Sequence, residues 1–399
     1  MTEHAAYSVE LGDLGLDQGG HLLVKRALCA ISVGTPIAVY GNAQGLAVHL
    51  RGWCRAQGHD IEIANRVDGP VAVITCGSAE VGRWRGADST GAAATPEAHA
   101  RAHWGLAGRS ATVEAGAPDF DFPLDTRAEV WAEEAARLYA HAAASQWNPA
   151  TAISWDEAFD LHDEIEDAVV QVMTYLIENE TAALVIPARF ASQVHPHFRE
   201  VMQLLAIQAA DEARHIEVFT RRALLRRPKL GLSTVGGQTS LKTLIDEPNF
   251  ALSTMLLSVL GEGSFLTLLG FLQQHAPDSI TRQAARLVGQ DEARHVAFGV
   301  AHLKHHVNED PTLLGRLADA IERRHNDLVN TAGLNEEVFD ALVLLAAGSW
   351  QPAALRSGWE KVQVLIADMG QGRIHRLCKV GFDKKTAQAL SALHTRNFM

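Results

Sequence analysis

The chain has 399 residues, of which 47% are hydrophobic, 21% charged and 6% aromatic, a near-average composition that excludes disordered, collagen-like and low-complexity proteins. The formal net charge of −12 argues against nucleic acid or an acidic membrane surface as the main partner. The four scattered cysteines form no CxxC pair, and the N-terminus lacks the pattern of a secretory signal, so we expect a cytoplasmic protein.

Residues 1–80 are predicted to form a small two-layer α/β domain. Short β-like runs and stretches of helical apolar spacing alternate in the order β-α-β-α-β-β, at Tyr7–Leu11, His21–Ala30, Thr35–Tyr40, Leu46–Gln57, Asp60–Ile63 and Val71–Thr75. Residues 81–125 are rich in Gly, Ala, Ser, Thr and Pro, which is typical of a connector, here expected to wrap over the next domain.

Residues 126–399 are predicted to be helical almost throughout. After a helix over Glu129–Gln146, a capping box of Ser154 and Glu157 is expected to open a long helix that Pro187 ends. Three further long helices are predicted over residues 197–226, 249–274 and 278–306. Four long helices make a bundle, and three or four shorter C-terminal helices are expected to pack outside it.

The run Ala251–Leu272 is long and apolar enough to cross a membrane, with Glu262 as its only charge. An ionisable group in the middle of an apolar helix usually faces a functional interior. No basic cluster flanks the run, so we interpret it as a helix buried in the bundle. Gly261 and Gly263 indicate either close helix packing or a wound or widened segment beside a substrate pocket.

The five-residue string DEARH occurs twice, beginning at Asp211 and at Asp291. Each copy contains Glu-x-x-His, namely Glu212 with His215 and Glu292 with His295. Positions i and i+3 share one face of a helix, so both side chains of a pair can reach one metal ion. Both pairs continue the apolar stripe of their helix. An inward-facing, identical repeat on two long helices therefore predicts a metal site rather than charged surface decoration.

Each of the other two long helices is expected to supply one carboxylate. Glu262 is the only candidate in its helix, and in the first helix the apolar stripe leads to Glu180, whereas Glu178 lies on another side. The four carboxylates would neutralise two divalent cations and so allow their burial. Oxygen-rich ligation with one imidazole per metal suits iron or manganese better than zinc or copper.

This constellation resembles the di-metal carboxylate centre of ferritin-like bundles, over residues 155–306. The double DExRH motif is similar to the branch that contains ribonucleotide-reductase small subunits and bacterial multicomponent monooxygenases. The resemblance implies two iron ions, with manganese as the alternative at one position, and six ligands: Glu180, Glu212, His215, Glu262, Glu292 and His295. It makes Glu212 and Glu292 bridging ligands. It also implies that Asp211 and Asp291 orient a ligand imidazole, and that Arg214 and Arg294 hold those carboxylates.

The resemblance implies an O₂-activating di-iron oxygenase or oxidase, of monooxygenase type, that acts on a small organic substrate. Alternatives are a radical-generating protein like the reductase subunit, a peroxide-reducing di-metal protein and a non-catalytic helical interaction protein. A radical-generating subunit needs an oxidisable tyrosine near the metals, and Tyr175 points away from the face of Glu180. As partners we expect a separate electron-donor protein and a second copy of the chain, with no nucleic acid and no membrane.

The N-terminal domain is similar to sulfur-carrier proteins of the TusA/SirA type around Trp53, Cys54, Gly58 and His59. The Cys-Pro motif that carries the persulfide in that family is missing here, so a docking or lid module is expected instead. We interpret Cys54 as a buried small apolar residue. Three histidines that follow the fourth-helix ligands are expected at the surface and not on a metal: His302, His305 and His306.

Overall fold

The computed structural model describes residues 7–64, 69–79, 84–329 and 336–393. The chain divides into two compact units, the first made of residues 1–90 and 110–118 and the second of residues 91–109 and 119–399. The segment that was predicted to be one connector is thus shared between the two units.

The first unit is built on a four-stranded sheet. Its elements in chain order are β1 (Tyr7–Glu10), α1 (Gly20–Cys29), β2 (Pro36–Tyr40), α2 (Leu46–Gln57), β3 (Asp60–Ile63) and β4 (Ala72–Thr75). The strand order is β1-β2-β4-β3, with β1 parallel to β2 and the other two pairs antiparallel. A short antiparallel pair, β5 (Asp88–Ser89) and β6 (Thr112–Val113), completes the unit. The predicted β-α-β-α-β-β order is confirmed.

One face of the sheet carries the core of this unit. Val24 from α1 and Leu50 from α2 are fully buried together with Ile37 and Ile74 from the strands. Cys54 belongs to the same cluster, and burial raises the pKa of its thiol to about 11. The interpretation of Cys54 as a buried small apolar residue is therefore confirmed.

The second unit is helical. After the short α3 (Arg127–Val130) and α4 (Ala135–Ala144), its helices are α5 (Asp163–Ala191), α6 (Arg199–Ala223), α7 (Val235–Ile245), α8 (Phe250–Thr254), a π-helix (Met255–Glu262), α9 (Gly263–His275), α10 (Ser279–Glu309), α11 (Leu313–Leu328), α12 (Glu336–Ala347), α13 (Pro352–Val380) and α14 (Lys384–Ala392). Helix α5 packs on α6, and α10 packs on α6, the π-helix and α9. The mainly α fold, with a four-helix bundle and extra C-terminal helices, is confirmed.

The prediction of one helix over Glu129–Gln146 is wrong, because the helix is interrupted between α3 and α4. Trp131 has extended backbone angles (φ −76°, ψ 152°), and the side chains of Trp131 and Ala132 are buried. Packing of these two residues overrides their local helical preference.

Both predicted ends of the first long helix are also wrong. Ser154 and Glu157 lie in a turn, and α5 begins at Asp163, where three acidic residues in the first turn suit the positive end of the helix dipole. Pro187 lies inside α5, which continues to Ala191. Proline removes one backbone donor, and the buried Phe190 anchors the turn that follows it.

A buried ionic network fixes the bundle helices relative to one another. The guanidinium of Arg222 on α6 donates to both carboxylate oxygens of Glu166 on α5, at 2.8 and 3.0 Å. It also donates to Asp278 Oδ2 at 2.8 Å, and Asp278 caps the N-terminus of α10. All three side chains are almost completely buried, so three of the bundle's helices are tied at one end.

By length and composition, α5 and the continuous helix Phe250–His275 could each cross a membrane, and the bent pair α12 and α13 would add a third if it formed one span. The most apolar stretch of α5 is 67% buried inside the protein, and the most apolar stretch of Phe250–His275 is 83% buried. The interpretation of the run around Glu262 as a helix buried in the bundle is confirmed.

The middle of this buried helix is wound as a π-helix, Met255–Glu262. Arg376 on α13 donates from Nε to the carbonyl oxygen of Val259 at 2.7 Å. A Cβ atom on Gly263 would overlap with that Nε atom. The segment is therefore both widened into a π-helix before Gly263 and closely approached by Arg376 at Gly263. A substrate pocket beside it stays a prediction.

Candidate metal centre

The structure brings all six predicted ligands together in the core of the bundle. They form two groups in which one ligand atom per residue lies within 4.8 Å of the others. The first group is Glu180, Glu212, His215 and Glu292, and the second is Glu212, Glu262, Glu292 and His295. All six side chains are buried. Glu212 and Glu292 belong to both groups, which is the position of a carboxylate that bridges two ions.

The shared carboxylates direct one oxygen towards each imidazole. In Glu212, Oε2 lies 3.1 Å from Nδ1 of His215, and Oε1 lies 2.9 Å from Nδ1 of His295. In Glu292, Oε1 lies 3.2 Å from Nδ1 of His215, and Oε2 lies 3.5 Å from Nδ1 of His295. The ring centroids of the two histidines are 6.2 Å apart. Both Nδ1 atoms therefore face the carboxylates and are the imidazole atoms available to a metal.

The other ring nitrogen of each histidine contacts the aspartate of the opposite DEARH segment. Nε2 of His215 donates to Oδ2 of Asp291 at 3.2 Å, and Nε2 of His295 donates to Oδ2 of Asp211 at 3.3 Å. An ionised carboxylate can only accept, so this contact keeps the proton on Nε2 and leaves Nδ1 free to coordinate.

The two arginines of the motifs neutralise these aspartates. Arg214 hydrogen-bonds Asp211 and donates to Oδ2 of Asp291 at 2.8 Å, while Arg294 hydrogen-bonds Asp291 and lies 3.3 Å from Oδ2 of Asp211. Each arginine thus spans both aspartates. Burial favours the protonated form of Asp291, but its hydrogen bonds and the charge of His215 outweigh burial and hold its pKa below the usual range.

Three residues of the site were missed by sequence reasoning. Nε2 of Gln146 donates to Asp211 at 2.9 Å, and Nε1 of Trp147 donates to Oδ2 of Asp291 at 2.7 Å. Both lie in the loop that follows α4, and no helical spacing links them to the motifs. Nε2 of Gln208 donates to Oε1 of Glu262 at 3.0 Å. Gln208 precedes Glu212 by one helical turn, and this spacing could have identified it.

The crowding of buried carboxylates shifts the pKa values of the groups in the cluster. Burial, followed by the charges of Glu212 and Glu292, raises the pKa of Glu180 well above its usual range. Burial and the charge of Glu292 do the same for Glu262. For His215, burial would lower the pKa, but the charge of Glu180 and the hydrogen bond to Asp291 outweigh it and raise the pKa. Added positive charge therefore stabilises the cluster, and either protons or metal ions can supply it.

The donor set fits a pair of divalent metal ions. Both carboxylate oxygens of Glu292, Oε1 of Glu180 and Oε2 of Glu262 are buried and have no hydrogen-bond partner in the part of the chain that the structure describes. A buried carboxylate oxygen without a partner is costly, and a metal ion would satisfy it. Four carboxylates and two imidazoles, divided into two overlapping groups, are oxygen-rich donors of the kind that iron and manganese prefer.

The three histidines beyond the site do not all lie at the surface as predicted. His302 is fully buried and packs between Phe250 and Phe298, with ring centroids 4.7 and 5.8 Å away. His306 is also buried, and His305 is half-buried. The surface prediction was wrong for His302 and His306 because α3 and α8 pack on this part of α10. None of the three belongs to a metal-ligand group among the described residues.

No family model and no curated protein matches the chain. The chain is similar to solved structures of R2-like ligand-binding oxidases. The one from Sulfolobus acidocaldarius is 17% identical, with 65% of this chain and 94% of that chain covered and a TM-score of 0.41. A variant with an aerobically reconstituted Mn/Fe cofactor is 16% identical, with coverages of 67% and 95% and a TM-score of 0.44.

Proposed function

We propose that the protein is a non-haem di-iron oxidoreductase that activates O₂ to oxidise a small organic substrate, as a monooxygenase. The observation that carries this proposal is the pair of buried ligand groups that share Glu212 and Glu292. A structural metal site is usually closed by ligands of one ion, whereas two ions held side by side by shared carboxylates are suited to a reaction that moves several electrons. When bound, the two ions would bind and reduce O₂.

The protein residues supply position, charge and exclusion of water. Glu212 and Glu292 would each hold both ions, while Glu180 and Glu262 would each complete one group. Asp211 and Asp291 fix the two imidazoles. Manganese remains the alternative at one position, because these donor atoms do not discriminate between iron and manganese.

Oxygen insertion into a substrate leaves the second oxygen atom to be reduced to water, and this step consumes two electrons and two protons. We propose a separate electron-donor protein as the source of these electrons. A homodimer is a further part of the proposal, as is a cytoplasmic location, which the four scattered cysteines without a CxxC pair favour.

A metal-loading experiment with O₂ consumption tests the function. Chelated protein is loaded anaerobically with Fe²⁺, mixed with O₂, and followed by optical absorption and an oxygen electrode. The wild type is expected to consume O₂ with a new near-ultraviolet absorption, and Glu212→Ala is expected to lose both. Glu217→Ala is the matched control, because Glu217 is exposed on the same helix. A folded Glu212→Ala protein with unchanged O₂ consumption would overturn the proposal, and substrate-independent turnover of peroxide would favour the peroxide-reducing alternative.

A radical-generating protein is the second candidate, and Trp147 favours it. Its indole lies within a hydrogen-bonded chain from Trp147 through Asp291 to His215. If this candidate is correct, O₂ addition produces a stable radical signal in electron paramagnetic resonance that Trp147→Phe removes. The monooxygenase proposal predicts substrate oxidation without such a persistent signal.

A further inference from the structure

A cavity separate from the six clustered ligands lies between α7, α11 and the π-helix. Its volume is about 290 Å³, at the lower end for sites that hold small organic ligands. Leu256 of the π-helix and Ala320 of α11 give it apolar wall, and Thr239 and Thr243 of α7 add hydroxyl groups. Arg324 also lines the cavity.

Arg324 is a buried cation without an acidic partner among the described residues. Its side chain is only 6% exposed, and it takes part in none of their ion pairs. Nη2 donates to the hydroxyl of Ser240 at 2.8 Å, whereas Nη1 is buried and has no hydrogen-bond partner among these residues. Burial lowers the pKa of Arg324 to about 10, which reflects the missing counter-charge. Burial of an arginine without a counter-charge lowers the stability of the folded protein, and a bound anion would offset this loss of free energy.

Four other donors of the cavity wall have partners. Lys242 pairs with Asp246, and Arg323 lies 3.7 Å from Glu247. The hydroxyls of Thr239 and Thr243 donate to helix carbonyls at 2.8 and 2.7 Å. Nη1 of Arg324 is therefore the buried donor of this wall that lacks a partner among the described residues.

The charges of the wall restrict the kind of anion. Three basic and three acidic side chains line the cavity: Lys242, Arg323, Arg324, Asp246, Glu247 and Asp327. With equal numbers of each sign, the wall favours a ligand with one negative charge over a multiply charged phosphate. A planar carboxylate also matches the fork of a guanidinium.

We propose that this cavity binds a small organic monocarboxylic acid, with its carboxylate on the Arg324 guanidinium and its apolar part against Leu256 and Ala320. The proposal does not depend on the metal centre. It places an organic acid against the π-helix, whose last residue is Glu262, and Arg324 also faces Tyr175 on α5. A bound acid would thus contact the element that carries one of the candidate metal ligands.

Calorimetric titration of the full-length, iron-loaded protein with benzoate tests the proposal. Benzamide has the same shape without the charge, and inorganic phosphate has charge without the apolar part. We expect benzoate to bind with one site per chain and both other probes to bind at least tenfold more weakly. In Arg324→Gln the affinity for benzoate is expected to fall about tenfold to a hundredfold, the range for a lost hydrogen bond to a charged group. The matched control is Arg316→Gln, which removes an exposed arginine of α11 that does not line the cavity and is expected to change the affinity by less than about twofold.

Several results would overturn the proposal. The first is that benzoate does not bind the wild type. The second is that benzamide binds as tightly as benzoate, or that phosphate binds more tightly. The third is that Arg324→Gln binds benzoate with unchanged affinity, which would indicate that the acid binds at the metal centre. If Arg324→Gln does not fold, two other variants decide. Arg324→Lys keeps the charge and must bind benzoate more weakly than the wild type, and Thr243→Phe must block binding by filling the cavity from α7.

Discussion

Nε2 of His215 donates a hydrogen bond to Oδ2 of Asp291 over 3.2 Å, so the imidazole of the first DEARH segment is oriented by the aspartate of the second. His295 and Asp211 make the reciprocal contact at 3.3 Å. The repeat is therefore one interlocked unit in space, and not two independent Glu-x-x-His sites. Each segment needs the other to present its Nδ1 atom to a metal.

Loss of one aspartate is expected to weaken metal binding while the fold is kept. In Asp291→Asn the amide can donate to Nε2 of His215, which moves the imidazole proton to Nδ1 and blocks coordination. We expect the affinity for Fe²⁺ to fall about tenfold to a hundredfold, measured by competition with a chelator. Asp167→Asn, which alters an exposed ion pair on α5, is the control. Wild-type affinity in folded Asp291→Asn would show that the crossed contact does not orient the ligand.

The shared and unshared carboxylates are expected to differ in metal stoichiometry. Glu180→Gln and Glu262→Gln each alter one ligand group, so each protein should retain one tightly bound metal ion out of two. Glu292→Gln alters both groups and should weaken both ions. Metal analysis by mass spectrometry after gel filtration measures the difference. Equal losses in all three variants would contradict the assignment of Glu292 as a shared ligand.

The two glycines of α9 are expected to respond to alanine in opposite directions. A Cβ atom at Gly263 would meet the guanidinium of Arg376, which is held by its bond to Val259, so Gly263→Ala should cost about 1–3 kcal/mol of unfolding free energy. At Gly270 nothing lies within 4 Å, so Gly270→Ala should stabilise the helix by about 0.5–1 kcal/mol. Chemical denaturation measures both. An unchanged free energy of unfolding in Gly263→Ala would mean that Arg376 moves aside freely.

Acid is expected to destabilise the second unit partly through His302. Burial, then the charge of His306, lowers the pKa of His302 to about 3, whereas an unfolded histidine has a pKa near 6.5. Because the unfolded chain binds the proton more readily, this contribution to stability is complete above about pH 6.5 and is lost as the pH falls towards 3.

In His302→Phe the free energy of unfolding should therefore fall less steeply from pH ~6.5 to pH ~4 than in the wild type, by a few kcal/mol at most. His305 and His306, whose pKa values burial also lowers, continue to contribute in both proteins. His141→Phe, at an exposed position of α4, should keep the wild-type slope. Parallel slopes for His302→Phe and the wild type would contradict the neutral, buried state of His302.

The sequence was sufficient to predict the elements whose apolar period is strong and the side chains that interrupt it. The strand over Asp60–Ile63 and the helix over Leu46–Gln57 were predicted with the bounds that the structure shows. The convergence of Glu180, Glu262 and the two motifs followed from carboxylates that stand in apolar stripes.

The errors arose where tertiary packing overrides local signals. Ser154 and Glu157 have the spacing of a capping box but lie in a turn, and Pro187 is accommodated inside α5. Trp147 reaches Asp291 from a distant part of the chain, a contact that no local pattern records. His302 was misplaced because residues of α3 and α8, far away in sequence, cover it.

Anomalous diffraction at the iron absorption edge, on crystals loaded anaerobically with Fe²⁺, locates the metal ions relative to the six side chains. We expect two peaks per chain, one beside Glu180 and His215 and the other beside Glu262 and His295, with Glu212 and Glu292 between them. A single peak, or iron bound only outside these six side chains, would contradict this expectation.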